Sequence, residues 1–290
     1  MTTTARDVMS ARPTTISARA TIADAARLRW KLNLRHLPVV DDRGKLVGIL
    51  SDRDLRGLSP PYSLVPEANT RQKALEASVG DLMSGDVLSV RPESDLADVV
   101  DLMLQDHVGA VPVVDEAGDV IGIVSYVDVL RALARPTTAR AHRQAKPELG
   151  SELVAGDVMT ENPKTIGVND PVGDAIAALQ SIDVRHLPVV DDQGELVGMV
   201  SERDIGSWAR QFSEGELARR SIETLSAVPI GHIMSSDVAC VDTDAGLAEI
   251  VETMLERNVG ALPVVNGEGQ PVGIVSYVDL LRAVPFPRVA

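Results

Sequence analysis

The chain holds 290 residues, 44% of them hydrophobic and 2% aromatic, with a formal charge of -14. That charge argues against nucleic acid or an anionic membrane as partner, because phosphates call for a net basic surface. The single cysteine, Cys240, excludes a disulfide framework and a Cys-built zinc site. No apolar run is long enough to span a bilayer, and residues 1–10 are too polar for a signal peptide. The expectation is a soluble, cytoplasmic protein of about two domains.

Charge is spread unevenly, with 18 basic and 19 acidic residues in 1–145 but 10 and 23 in 146–290. An internal repeat underlies this division. RHLPVVDDRGKLVGILSDRDL at 35–55 returns as RHLPVVDDQGELVGMVSERDI at 185–205, and residues 108–132 return at 259–283. The two blocks are related to each other through LPVVDDRGKLVGILS and VPVVDEAGDVIGIVS. Four copies follow, at 1–58, 80–134, 155–209 and 230–284, separated by linkers at 59–79, 135–154 and 210–229.

Each copy reads in the same order. It opens on a Met-containing turn (Met9, Met83, Met159, Met234) and continues into a short β-prone stretch (Thr14–Ile16, Leu88–Val90, Lys164–Ile166, Ala239–Val241). A helix follows with an acid at its third position (Asp24, Asp98, Asp174, Glu249), suited to the positive end of the helix dipole; Thr21 with Asp24 has the capping-box spacing. Two strands come next, joined by a turn that puts Gly44, Gly118, Gly194 or Gly269 at a left-handed position. Pro38, Pro112, Pro188 and Pro263 are expected at strand starts or edges. A Ser-x-x-Asp sequence then opens a second helix. Each β-α-β-β-α unit of about 55 residues is too small to bury its own sheet, so the units must pair.

The recurring pattern, a Met turn, Thr-Ile, a helix, LPVVDDxGxLVGI and Ser-x-x-Asp, resembles the CBS domain, named after cystathionine β-synthase. The resemblance covers all four copies. It implies an α/β (α+β) fold in which the four units form two pseudo-twofold pairs stacked as a disc, within one chain or in a homodimer. It also implies clefts that bind an adenosine-containing ligand: AMP, ADP, ATP, NAD or S-adenosylmethionine, with Mg as a companion of the phosphates. No resident cofactor is required. The family's ribose carboxylate matches Asp54, Asp128, Asp204 and Asp279, and its partner hydroxyl matches Ser51, Ser125, Ser201 and Ser276. Gly48, Gly122, Gly198 and Gly273 are expected to admit the base, and Thr15, Ser89 and Thr165 to place a hydroxyl near the adenine edge, where Cys240 departs from the pattern. A Ser-x-x-Asp at a helix start is also a capping box in its own right.

The copies differ at informative positions. Copies one and three carry Arg53 and Arg203 before the Asp, with Arg35-His36 and Arg185-His186 before LPVV. Copies two and four have Val127 and Val278, and Gly109-Ala110 and Gly260-Ala261. In the family these positions face ligand phosphates, and two guanidiniums per cleft suit a phosphate chain. Copies one and three are therefore expected to grip phosphate better. The five histidines lack metal-ligand spacing. The basic run from Arg131 to Lys146 is expected to be a solvated linker. The reading is a regulatory nucleotide sensor, not an enzyme, that signals to an effector protein; the alternative is a structural adaptor. Copy one (5–58) has 11 basic and 6 acidic residues against 2 and 11 in copy two (80–134), so a phosphate ligand is sought first in copy one.

Overall fold

A computed structural model describes residues 3–32, 34–51, 54–55, 73–134, 153–181, 184, 186–209, 227–284 and 286, with the backbone alone of Trp30, Gln180, Glu202 and Ala209. The described residues fall into two compact units, one holding 3–134 with Phe286 and the other 153–284. No helix among them is long and apolar enough to cross a membrane.

In the first copy, β2 (Ile16–Ser17) lies parallel to β3 (His36–Val40), which pairs antiparallel with β4 (Leu46–Ser51). Helix Ile22–Leu32 bridges β2 and β3, and the Thr21 hydroxyl donates to Asp24 Oδ2 at 2.7 Å, the capping box read from the sequence. Gly44 closes the hairpin at φ 80°, and Gly118, Gly194 and Gly269 hold the corresponding turns at 75–82°, a backbone conformation that costs glycine little. Copy two repeats the plan with β5 (Ala110–Val114) and β6 (Val120–Ser125); the second unit repeats it with β8 (Ile166–Gly167), β9 (His186–Val190), β10 (Leu196–Ser201), β11 (Val241–Asp242), β12 (Ala261–Val265) and β13 (Pro271–Ser276).

Two expectations are corrected. First, three of the prolines are neither at strand starts nor on edges: Pro38 is the third residue of β3, the middle strand of the order β2-β3-β4, and Pro188 and Pro263 are placed alike in β9 and β12. Pro112 lies on the outer strand of its sheet, as expected, with only an isolated Val90 bridge beyond it. The fold tolerates proline here because the parallel neighbour is so short. In copy two, Val90 N–H donates to the Pro112 carbonyl and Val114 N–H to the Val90 carbonyl, both at 3.0 Å, so the missing proline N–H falls outside that ladder.

Second, the leading Met turn of each copy belongs to the sheet of its partner copy. β1 (Ser10–Ala11) pairs antiparallel with β6 of copy two, and β7 (Thr160–Glu161) with β13 of copy four. In return, Ser84 bridges to Ile49 and Ser235 to Met199. The same exchange builds the cores. Val79, just ahead of copy two, is fully buried among Ile22, Leu37, Val39, Leu50 and Leu55 of copy one; Ile230 of copy four is buried among Val172, Leu179, Leu187 and Val200 of copy three. Burying one such side chain is worth about 1.5–3 kcal/mol. Copies one and three thus complete their cores with a residue from the leading segment of the next copy.

Candidate functional site

Each Ser-x-x-Asp follows the second hairpin strand, and in copies two, three and four that strand enters a helix, so the strand fixes the hydroxyl and the first helical turn the carboxylate; in copy one Asp54 lies in a turn. Ser51 donates to Asp54 Oδ2 through N–H at 2.6 Å and O–H at 2.7 Å. Ser125 holds Asp128 at 2.8 and 2.5 Å, Ser201 holds Asp204 at 2.8 and 2.5 Å, and Ser276 holds Asp279 at 2.8 and 2.6 Å. All four have the capping-box spacing, with the reciprocal N–H bond present at Ser51, Ser201 and Ser276, and in all four Oδ2 is the oxygen used. What each site can still offer is therefore Oδ1, a carboxylate oxygen with two acceptor directions.

The Oδ1 atoms differ. Asp128 Oδ1 accepts the Ser10 hydroxyl at 3.0 Å and stands 4.0 Å from Arg131 Nη1; Asp128 is 7% exposed, the one buried acid among the described residues. Asp204 Oδ1 accepts Ser235 Oγ at 3.5 Å, a long contact. Among the described residues, nothing donates to Oδ1 of Asp54 or Asp279, and both side chains are half-buried.

The exchanged Met turns supply these contacts, and the sequence reading missed them. A Cβ on Gly122 would run into Met9, and one on Gly48, Gly198 or Gly273 would run into Met83, Met234 or Met159. These glycines therefore admit a methionine of the partner copy, which corrects the expectation that their bareness serves a bound base. The residue after each methionine is Ser10, Ser84, Thr160 or Ser235, a hydroxyl every time. That recurrence is the signal that could have pointed to the contact with the Asp.

The remaining candidates are only partly brought together. Arg35 is half-buried with its guanidinium carbon 5.4 Å from the centre of the Tyr126 ring, so copy one's arginine reaches the helix start of copy two beside Ser125 and Asp128. His36 and His186 are half-buried at the starts of β3 and β9, and Arg203 is exposed. Arg53 and Arg185 lie outside the described residues. Thr15 and Thr165 are half-buried just before the short parallel strands, whereas Ser89 is exposed. Cys240 is exposed, and its thiol pKa is raised by desolvation and then by Asp242, so the thiol stays protonated at neutral pH. No group of metal-ligating side chains occurs among the described residues.

Comparison with known proteins gives the same fourfold division. The CBS domain model matches residues 5–60, 79–135, 155–208 and 230–285. An uncharacterised 33.4 kDa protein in a ribosomal RNA operon of Thermofilum pendens is 34% identical over 260 residues, 87% of this chain and 81% of its own. The crystal structure of MJ1225 from Methanocaldococcus jannaschii, suggested to be an archaeal homologue of g-AMPK, superposes with a TM-score of 0.78 at 23% identity, covering 97% of this chain and 99% of that one. An uncharacterised conserved protein from Pyrococcus horikoshii has a TM-score of 0.65 at 26% identity with the same coverage.

Proposed function

The chain belongs to the CBS domain family, and on that premise we propose that it is a regulatory protein that binds an adenine nucleotide, AMP, ADP or ATP, and signals to a separate protein. The observation that carries this reading is the pair of half-buried carboxylates, Asp54 and Asp279, each pinned through Oδ2 while Oδ1 remains available. A carboxylate fixed in this way is suited to accept hydrogen bonds from two ribose hydroxyls, as in dinucleotide-binding folds. Ser276, with the backbone N–H groups of the helix start Tyr277–Ala283, favours an anion alongside it. Arg35, Arg203, His36 and His186 supply the cationic and polar groups for phosphates, and Thr15 and Thr165 a hydroxyl for the adenine edge. The chemistry is recognition, not turnover: the ligand acts by binding two arrangements of the protein with different affinity.

One observation favours the alternative of a structural adaptor. Capping accounts for every Ser–Asp pair without any ligand, since each hydroxyl already has its partner. Thermal unfolding in the presence of AMP, ADP, ATP, NAD and S-adenosylmethionine separates the two readings. A ligand at 100 times its Kd stabilises the native state by about 2.7 kcal/mol. A rise in Tm with at least one adenine nucleotide, reduced in Asp54→Asn and lost when Asp279→Asn is added, is the expected result. Unchanged Tm with all five ligands overturns the sensor and leaves the adaptor.

A further inference from the structure

The geometry assigns a gate to Ser10: its hydroxyl occupies the ribose-facing oxygen of Asp128 and closes the second copy's cleft, leaving Asp54 and Asp279 as the carboxylates open to a nucleotide. This rests on the nucleotide reading above and deepens it by saying which sites bind.

A diol needs two acceptor directions from one carboxylate. At every copy the cap takes two from Oδ2, through the serine N–H and O–H, so a ribose must find both of its own on Oδ1. At Asp128 one of these is taken by Ser10 Oγ at 3.0 Å, and the Arg131 guanidinium, 4.0 Å away, faces the same oxygen. The carboxylate is 7% exposed, whereas Ser10 itself is exposed, so the hydroxyl sits between the acid and solvent. Tyr126, 3% exposed, and Arg35 above its ring crowd the same helix start from the other side. At Asp204 the equivalent contact from Ser235 is stretched to 3.5 Å. At Asp279 and Asp54 the equivalent hydroxyls of Thr160 and Ser84 make no hydrogen bond to the acid among the described residues.

The closure comes from a distant part of the sequence. Ser10 is 118 residues from Asp128 and reaches it because Met9 docks on Gly122 and Ser10 pairs with Ile123. The residue that decides whether copy two binds is therefore contributed by copy one, and the four Ser-x-x-Asp sequences, alike by themselves, are unlike as sites.

Isothermal titration of the full chain with AMP and with ATP tests this. In the wild type, Asp54→Asn is expected to weaken binding at least tenfold at one site, and Asp128→Asn to change it less than twofold. Ser10→Ala, at an exposed position, is expected to add one site per chain, which Asp128→Asn in the same chain removes. A Ser10→Ala/Asp128→Ala double-mutant cycle in urea unfolding, which uses no ligand, is expected to give about fivefold coupling, the worth of one hydrogen bond. AMP or ATP bound by the wild type with no site gained in Ser10→Ala, or an Asp128→Asn loss equal to that of Asp54→Asn, overturns the gate alone. Neither nucleotide bound by wild type or Ser10→Ala overturns the nucleotide reading and the gate with it. Absence of coupling in the cycle overturns the Ser10–Asp128 contact itself.

Discussion

In the first unit the two copies meet through charge: Lys45 Nζ lies 2.8 Å from Asp119 Oδ1, and Arg6 Nη2 3.0 Å from Glu93 Oε1. In the second unit the positions matching Lys45 and Asp119 are Glu195 and Gln270, and Gln270 instead donates to the Gln193 carbonyl at 3.3 Å. The backbone contact beneath is the same in both: Leu46 N–H donates to the Gly118 carbonyl and Leu196 N–H to the Gly269 carbonyl. Exposed ion pairs contribute only about 0–1 kcal/mol, so charge at this seam can be exchanged without cost to the fold. The methionine-on-glycine docking and the buried leading residues cannot vary so freely, and they recur in both units. The -13 charge of the second half and the near-neutral first half thus sit on one scaffold.

That equivalence can be broken most strongly in the cores. Leu37→Ala and Leu187→Ala each remove a fully buried side chain at matching positions, and each is expected to cost its own unit about 2–5 kcal/mol. The sequence has two tryptophans, Trp30 in the first unit and Trp208 in the second, so denaturant unfolding of single-tryptophan variants reads each unit separately. A loss felt by only one of the two substitutions refutes the equivalence.

Smaller effects are expected where the copies interlock. Gly122→Ala places a Cβ against Met9, and Gly273→Ala one against Met159; each is expected to destabilise by about 1–3 kcal/mol through overpacking. Met9→Ala in the same chain as Gly122→Ala should recover part of that loss in the unfolding midpoint. A stabilising Gly122→Ala would show that the docking is loose.

Acid is expected to separate the units. In the first unit Asp7 is held below its usual pKa by the backbone N–H and then the hydroxyl of Thr4, and Asp24 by the hydroxyl and then the N–H of Thr21. Asp41 and Glu93 of the same unit are lowered too, chiefly by the Lys45 N–H and by Arg6. In the second unit Val154 and Pro171 stand where Thr4 and Thr21 do, and neither has a hydroxyl. A carboxylate whose folded pKa lies below its unfolded value contributes stability in full above that unfolded value, near pH 4, and loses it as pH falls through the folded pKa. Unfolding followed from pH 5 to pH 2 should therefore show the first unit weakening more than the second. Thr4→Ala with Thr21→Ala should shrink that difference; an unchanged difference would place its cause elsewhere.

Much of this was legible before any coordinates. The repeat, the hairpin glycines, the Thr21–Asp24 cap and the Ser-x-x-Asp pairs are all local patterns, set by residues within a few positions of each other. Pro38, Pro188 and Pro263 depart from the edge expectation because the rule that keeps proline off central strands assumes a neighbour long enough to need its N–H, and β2 is two residues long. The glycines before each Ser-x-x-Asp were given the wrong occupant, since nothing local to Gly122 names Met9. The hydroxyl after each methionine was visible but had no evident partner.

What the sequence determined by itself is the number of copies, the elements of each and the chemistry each repeats, because propensity, capping and turn geometry act over short stretches of chain. Only the tertiary structure decided that neighbouring copies trade their leading segments, and hence that Ser10 meets Asp128 while no described residue donates to Oδ1 of Asp54 or Asp279. A unit too small to bury its own sheet must borrow a strand and a core residue from its partner, and the borrowed strand brings its polar side chains to a site that four similar sequences cannot distinguish.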